Sequence, residues 1–173
     1  ALIAIRPLMV DQILSRAEAY SAFGLYEESK RQCDKAWLID SDNSQACCSL
    51  ARVHKAQGDP NLPCTAYLKA IETDPANMLA HFELALIYAQ QKRYQAAIPH
   101  FDGVRKLESD KAGLPLNGRF AYHRAALDML LICYEKTGDP EKVEFTRKEI
   151  GVYYPHSKLP PGAIAGLDKP SDR

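Results

Sequence analysis

Residues 44–77 of this chain read SQACCSLARVHKAQGDPNLPCTAYLKAIETDPAN, and residues 78–111, which follow directly, read MLAHFELALIYAQQKRYQAAIPHFDGVRKLESDK. Aligned without gaps, the two stretches place small residues opposite small ones and aromatic residues opposite aromatic ones. The matched pairs include Ala51 with Ala85, Tyr67 with Phe101, and Asp74 with Glu108. A fixed interval of this kind predicts repeated structural units that stack on one another.

The same columns continue on both sides of these two stretches. Ala17 and Ala36 precede them at the same interval, and Tyr134 and Gly138 resume the pattern after an insert at residues 112–123. The sequence therefore predicts an array over residues 8–155 and a Pro- and Gly-rich tail at residues 156–173. The array has about four units, at residues 10–43, 44–77, 78–111 and 124–157.

Each unit has the pattern of two amphipathic helices. In residues 78–111 the apolar side chains recur every three or four positions, around Leu84 and Tyr88 and again around Phe101 and Val104. The expected helix start and end signals are glycines at the ends of first helices, Asp-Pro pairs at the starts of second helices, and prolines after second helices. These residues are Gly24, Gly58, Gly138, Asp59-Pro60, Asp139-Pro140, Pro75 and Pro155.

These columns resemble the tetratricopeptide repeat family, in which a small residue, Tyr, Gly, an aromatic residue, Ala and Pro follow in that order. The resemblance implies an all-α fold, a right-handed superhelical array of helix-turn-helix repeats. Three positions depart from the pattern: Arg16 replaces a leucine, His54 a tyrosine and Pro63 an alanine. These departures put single contacts in question, mainly at the start of the second helix near residues 61–64, and leave the fold assignment intact.

The resemblance further implies that the first helix of each unit lines a concave groove in which a peptide or partner protein binds. Helical spacing nominates a lining that changes from polar to apolar along the chain. The candidate residues are Leu14, Glu18, Cys48, Ser49, Arg52, Lys55, Leu79, Phe82, Glu83 and Leu86. Two interpretations of the apolar end remain open: an open groove, or a surface covered by the insert, the tail or the N-terminal residues 2–5.

A carboxylate-binding version of this groove is rejected on charge. Family members that hold a C-terminal carboxylate carry Lys, Asn and Arg on their first helices, whereas this chain has Leu14, Glu18, Ser49, Leu79 and Glu83 at those positions. A carboxylate would meet the negative charges of Glu18 and Glu83.

Composition narrows the class of partner. Lys plus Arg and Asp plus Glu both number 22, so the formal net charge is zero and the basic residues are scattered. Such a balance argues against nucleic acid as a partner. No apolar stretch approaches the roughly 20 residues of a membrane helix. We therefore expect a protein or peptide partner, with no nucleic acid and no membrane span in this chain.

The cysteines and histidines do not form a recognisable catalytic or metal motif. The five cysteines are odd in number and lack C-x-x-C pairs, which favours reduced thiols and a cytoplasmic location. Because the first residue is Ala1, a lost upstream signal or anchor remains open. A Cys48 and His81 pair is conceivable but has no third, orienting residue, so we expect no enzyme activity, no metal and no cofactor.

A second class of function is self-association. The outer helices of terminal units can pair between copies of a repeat protein, here through Ile13 or Phe145, which would make the chain an oligomerisation module of a larger assembly. Trp37, at the end of the first unit, is expected in the core between units.

Overall fold

The computed structural model describes residues 2–58, 61–109 and 120–154 of the 173-residue chain. The insert between residues 110 and 119, the Asp59-Pro60 pair, Pro155 and the tail at residues 156–173 lie outside the described residues. The expectation that the insert or the tail covers the groove therefore also lies outside the described residues.

Eight α-helices make up the described part of the chain, which contains no β-strand. Their bounds are α1 Leu2–Ala22, α2 Tyr26–Ile39, α3 Ser44–Ala56, α4 Leu62–Thr73, α5 Met78–Gln90, α6 Tyr94–Ser109, α7 Phe120–Thr137 and α8 Pro140–Tyr153. The predicted all-α class is confirmed. The intervals 44–77 and 78–111 each contain one helix pair, whereas α1 begins eight residues and α7 four residues before the predicted start of its repeat.

Contacts between residues divide the chain into two compact units, Ala1–Leu84 and Ala85–Arg173. In the first unit, α1 packs against α2, α2 against α3, and α3 against α4, while α1 also touches α3. In the second unit, α6 packs against α7 and α7 against α8. In each of these pairs except α1 with α3, helices adjacent in sequence are therefore adjacent in space.

The turn between the two helices of a repeat uses a left-handed residue. Gly24, Gly58 and Gly138 have φ values of 75°, 80° and 74°, and the third repeat places Lys92 at φ 60° in the same role. After α5, the Arg93 N–H donates to the Tyr88 carbonyl at 2.8 Å, a bond that closes the helix end with a left-handed residue before it. The predicted glycine turns are confirmed, and a lysine supports the same turn.

Side-chain caps start several helices. Asp139 accepts a hydrogen bond from the Lys142 N–H at 3.1 Å and precedes Pro140, which confirms the predicted start of α8. Asn43 and Asn77 accept from the Ala46 and Ala80 N–H groups at 2.9 Å and 3.0 Å, respectively, and cap α3 and α5. These two asparagines lie one repeat apart, and the sequence analysis missed them.

The core of the first unit consists of small and medium side chains. Val10, Leu14, Ala36 and Ala46 form one buried cluster, and Ala17, Cys33 and Val53 form a second one. The Ser29 hydroxyl is buried with them and donates to the Ala17 carbonyl at 2.6 Å. Small residues at the helix crossings let α1, α2 and α3 approach closely.

The three departures from the repeat pattern are accommodated locally. Arg16 is exposed, so its charge remains in water, and His54 is buried in place of the tyrosine. Pro63 lies at the start of α4, where a missing N–H leaves no helical bond unmade.

The expectation for Trp37 is wrong. Its side chain is 48% exposed, whereas the preceding residue, Ala36, is fully buried. Successive helical residues point about 100° apart, so a residue next to a core column turns away from the core.

In the second unit, aromatic and aliphatic side chains fill the interior. Fully or nearly fully buried residues are Ala97, Phe101, Val104, Leu127, Leu130 and Cys133. Arg105 on α6 lies between Asp102 and Glu149, and its guanidinium hydrogen bonds to both carboxylates. This ion cluster joins α6 to α8.

Candidate partner-binding face

The first helices of the repeats carry the predicted site residues, and in the first compact unit their charged side chains form pairs. The Arg52 Nη1 on α3 donates to the Glu18 Oε1 on α1 at 2.9 Å, with each side chain about half exposed. Glu18 and Arg52 lie one repeat apart in sequence. The pair therefore links equivalent positions of neighbouring first helices at the surface.

A second pair links α3 to the start of α5. The Lys55 Nζ donates to the Glu83 Oε2 at 2.8 Å, and Glu83 is the less exposed partner. Arg52 and Lys55 are three residues apart and share one side of α3. Four of the ten predicted site residues, Glu18, Arg52, Lys55 and Glu83, thus come together as two ion pairs on what we call the first-helix face, the exposed side of α1 and α3 with the start of α5.

A pocket of about 180 Å³ opens beside the Glu18 and Arg52 pair. Its walls come from α1, from the first turn of α2 and from α3, and its lining residues are Ala17, Glu18, Ser21, Ala22, Ser29, Ser49, Arg52 and Val53. Three of the predicted site residues, Glu18, Ser49 and Arg52, belong to it. The Ser49 side chain is only 3% exposed, and its Oγ has no hydrogen-bond partner among the described residues.

Leu14 and Cys48 lie behind this face. Both are buried, Leu14 in the cluster with Val10 and Ala36, and Cys48 against the Asn77 amide, which donates to its Sγ at 3.5 Å. Burial raises the pKa of the Cys48 thiol to about 12, although the hydrogen bond from Asn77 opposes the shift. Their buried position supports packing of α1 and α3.

The apolar candidates lie on α5. Leu79 and Phe82 are half-buried in the first compact unit, and Leu86, one turn beyond Phe82, is half-buried in the second. Side chains at these spacings share one side of a helix. That any of the ten candidate residues contacts a partner stays a prediction.

The second unit contains polar contacts that the sequence analysis missed. The His123 Nδ1 is 2.9 Å from the Tyr154 hydroxyl, and the His123 ring meets the Tyr153 ring edge-on with centroids 5.4 Å apart. Burial lowers the pKa of His123, and nearby Arg105 lowers it further while Glu149 opposes the shift. The repeat pattern gave no signal for these contacts, because they depend on how α7 and α8 pack.

The described ranges offer neither a metal-binding cluster nor a membrane-spanning helix. No group of three or more His, Cys, Asp or Glu side chains there could hold a metal ion. None of the helices there is long and apolar enough to cross a membrane.

Sequence comparison then identifies the repeat. Tetratricopeptide repeat profiles match residues 44–77 and residues 66–98. This chain carries tetratricopeptide repeats. The predicted family is confirmed, and the match includes α3, α4 and α5, where all four first-helix candidates of the second repeat and all of those on α5 lie. No curated protein matches the sequence.

Tetratricopeptide-like helical arrays among solved structures resemble this chain in fold. The Yersinia enterocolitica type III secretion translocator chaperone SycD has a TM-score of 0.64 at 18% identity, covering 74% of this chain and 93% of SycD. MamA protein has a TM-score of 0.62 at 20% identity, covering 91% of this chain and 83% of MamA. Pseudomonas aeruginosa pilF has a TM-score of 0.69 at 19% identity, covering 88% of this chain and 64% of pilF. At these identities the likeness shows a shared fold.

Proposed function

We propose that this chain is a non-catalytic scaffold that binds a peptide or a segment of a partner protein on the first-helix face. The observation that carries this proposal is the arrangement of α1 and α3, whose neighbouring surfaces form a pocket rimmed by the Glu18 and Arg52 pair. Buried, high-pKa thiols make poor nucleophiles, which supports a binding role over a catalytic one.

The chemistry of the face favours a segment with little net charge. Each cation on it is already paired with a carboxylate, Arg52 with Glu18 and Lys55 with Glu83. A strongly acidic or basic ligand would have to break these pairs or meet a like charge. An amphipathic segment with apolar anchors for Leu79, Phe82 and Leu86 suits the face better.

Proteins of similar fold support partner binding as the class of function. SycD has been crystallised in complex with a peptide of the translocator YopD, and PcrH in complex with the chaperone binding region of PopD. We propose the same class of activity, without the same partners, for this chain. The five cysteines, all within the described residues, form no disulfide, which supports a reducing, cytoplasmic location.

The direct test removes the apolar anchors of the face. A partner captured from the native host is purified, and its affinity is measured for wild type and for Phe82→Ala with Leu86→Ala. We expect the double variant to bind about tenfold more weakly or worse, since truncating anchors at an interface costs more than about 1 kcal/mol. Circular dichroism should show nearly unchanged helicity.

The matched control truncates apolar side chains on second helices. Leu38→Ala with Leu68→Ala changes two exposed leucines of α2 and α4. This control should leave the affinity unchanged. Equal affinity of the Phe82 and Leu86 variant and wild type would refute the groove assignment.

Self-association is the second candidate function. The last described helix, α8, carries Phe145, which is 59% exposed, together with the exposed Val152 and Tyr153. Such side chains on a terminal helix favour pairing between copies. Light scattering over a range of concentrations tests it: a concentration-dependent mass that Phe145→Ala abolishes supports this candidate, and a monomer throughout removes it.

A further inference from the structure

The pocket between α1 and α3 has a lining that selects among chemical groups. Its walls combine apolar Ala17, Ala22 and Val53 with the half-exposed Glu18 and Arg52 pair at the rim. At about 180 Å³ it is comparable to the roughly 150 Å³ cavities that hold a molecule of six heavy atoms. One side chain of a bound segment therefore fits.

The Ser29 and Ser49 hydroxyl groups in the pocket wall differ in their hydrogen bonding. The Ser29 Oγ donates to the Ala17 carbonyl, so it completes the contact between α1 and α2. The Ser49 Oγ is buried and has no partner among the residues that the structure describes. A buried hydroxyl without a partner is unfavourable, and a ligand that hydrogen bonds to it after a rotation about its Cα–Cβ bond removes that cost.

Charged side chains do not suit this pocket. A carboxylate placed beside Arg52 would lie next to the Glu18 carboxylate, which is 2.9 Å from the same guanidinium. A cation placed beside Glu18 would likewise meet Arg52. An aliphatic side chain would avoid both conflicts but would leave the Ser49 hydroxyl unsatisfied.

A carboxamide satisfies all three groups. Its oxygen accepts from one of the guanidinium N–H groups that Glu18 leaves unused, and its N–H₂ donates to a remaining lone pair of the Glu18 carboxylate. Either end can also bond to the Ser49 hydroxyl, which both donates and accepts. The ion pair presents a donor and an acceptor side by side, which is the pattern that a carboxamide complements.

We propose that this pocket is a specificity site for the carboxamide of an asparagine or glutamine side chain in the bound partner segment. The inference rests on the proposed function, because it specifies one anchor of the segment that the first-helix face binds. It places this polar anchor on α1 and α3, separate from the apolar anchors on α5.

The test uses four small molecules of the same shape. Isobutyramide is the carboxamide probe, isobutyrate the anion, isobutyramidinium the cation, and 3-methyl-2-butanone the neutral acceptor without a donor. Each is titrated into the ¹⁵N-labelled full chain while amide chemical shifts are followed. We expect saturable shifts near residues 17–22 and 49–53, with isobutyramide bound about tenfold more tightly than the other three.

Two variants locate the binding. Ser49→Ala should weaken isobutyramide binding about fivefold while leaving the folded chain at least as stable, because the hydroxyl it removes has no partner in the described structure. Lys69→Met, which removes an exposed charge of α4 outside the pocket lining, should leave isobutyramide binding unchanged.

The proposal is overturned if any other probe binds as tightly as isobutyramide, if no saturable shifts occur, or if Ser49→Ala binds like wild type. The titration uses no protein partner, so its outcome is separate from the test of the proposed function. If isobutyramide binds to the chain and the Phe82 and Leu86 variant still captures the partner normally, the carboxamide site is supported. The groove assignment is then refuted.

Discussion

Lys92 shows that the turn inside a repeat is imposed by the helices on either side of it. Its φ of 60° lies in the left-handed region, where the other three turns use glycine. The hydrogen bonds around it, including the one from its own N–H to the Ala89 carbonyl at 2.9 Å, are those of a regular helix end. A side chain with a Cβ atom is strained in this conformation.

Lys92→Gly is therefore expected to stabilise the chain by about 0.5–1 kcal/mol, the relief of strain minus the greater freedom of glycine in the unfolded state. Urea unfolding measures the change. The matched control is Gly138→Ala, which introduces the same strain at φ 74° and should cost about 1 kcal/mol. The added Cβ meets no atom within 4 Å, so a steric clash adds nothing to this cost. A destabilising Lys92→Gly would show that the lysine side chain makes a contact worth more than the strain.

The cysteines differ in accessibility and in acidity. Burial raises the pKa of Cys33 and Cys48 to about 12 and that of Cys133 to about 11, and it also raises the pKa of Cys47. Cys64 is the one cysteine of the five that is not buried. The reactive form of a thiol is the thiolate, so burial suppresses both access and reactivity.

At pH 8, a thiol reagent such as iodoacetamide should modify Cys64 first and the other four cysteines only after denaturation. Mass spectrometry of the folded and the denatured chain counts the modified thiols. Rapid labelling of Cys48 in the folded chain would contradict its buried position behind the first-helix face.

At the scale of the element, α6 and α8 are joined by one ion cluster. The Arg105 guanidinium is 2.6 Å from Asp102 and 3.1 Å from Glu149, and all three side chains are less than a quarter exposed. Burial opposes ionisation of Asp102, yet hydrogen bonds from Lys106 and Arg105 outweigh it and lower the pKa of that carboxyl. The cation therefore stabilises two carboxylates that water reaches poorly.

Arg105→Met should destabilise the chain by about 2 kcal/mol, since it leaves these two carboxylates without their shared cation. The control is Arg147→Met, which removes an exposed partner of Glu135 between α8 and α7 and should cost under about 0.5 kcal/mol. Urea unfolding compares the two. Equal costs would mean that the Arg105 cluster behaves as an ordinary surface pair.

The packing of α7 on α8 should depend on pH through His123. Burial lowers the pKa of His123 below its ordinary value of 6.5, so the unfolded chain binds a proton more readily than the folded one. The stabilisation from the neutral ring is present above that ordinary value and is lost as the pH falls from it towards the folded pKa. One such group contributes at most about 1.4 kcal/mol per pH unit.

The free energy of unfolding should therefore fall less steeply between about pH 7 and pH 5 in His123→Gln than in wild type, even if the variant is less stable at neutral pH. Chemical denaturation at several pH values gives the two slopes. His54→Gln is the matched control, because it removes the imidazole of another buried histidine on a different helix. The same slope in His123→Gln and wild type would assign the acid sensitivity to other groups.

Most of the helix pattern could be predicted from the sequence. Apolar spacing indicated helix pairs, Gly24 and Gly138 marked turns, and Asp139 with Pro140 marked the start of α8, because each of these signals acts within one turn of the chain. Contacts between helices could not be predicted in this way. Glu149 lies 44 residues from Arg105 and Tyr154 lies 31 residues from His123, and only the packing of the helices brings each pair together.

At the scale of the whole molecule, the candidate site was predicted in part. Helical spacing placed Glu18 and Arg52 among the candidates, and the two side chains do meet, since equivalent positions of α1 and α3 are neighbours. Leu14 and Cys48 were placed on the same surface by helical spacing but are buried, because the small residues at the crossing bring α1 and α3 close together. The closeness of helix approach cannot be read from the period of one helix.

The central claim concerns which helices a partner touches, and site-specific photo-crosslinking tests it most directly. A photoreactive phenylalanine analogue replaces, one at a time, Glu18, Lys55 or Leu86 on first helices, and Arg31, Leu38 or Lys69 on second helices, in the full chain with its captured partner. The account predicts crosslinks to the partner from positions 18, 55 and 86 and background levels from positions 31, 38 and 69. Crosslinks mainly from the second-helix positions would contradict it.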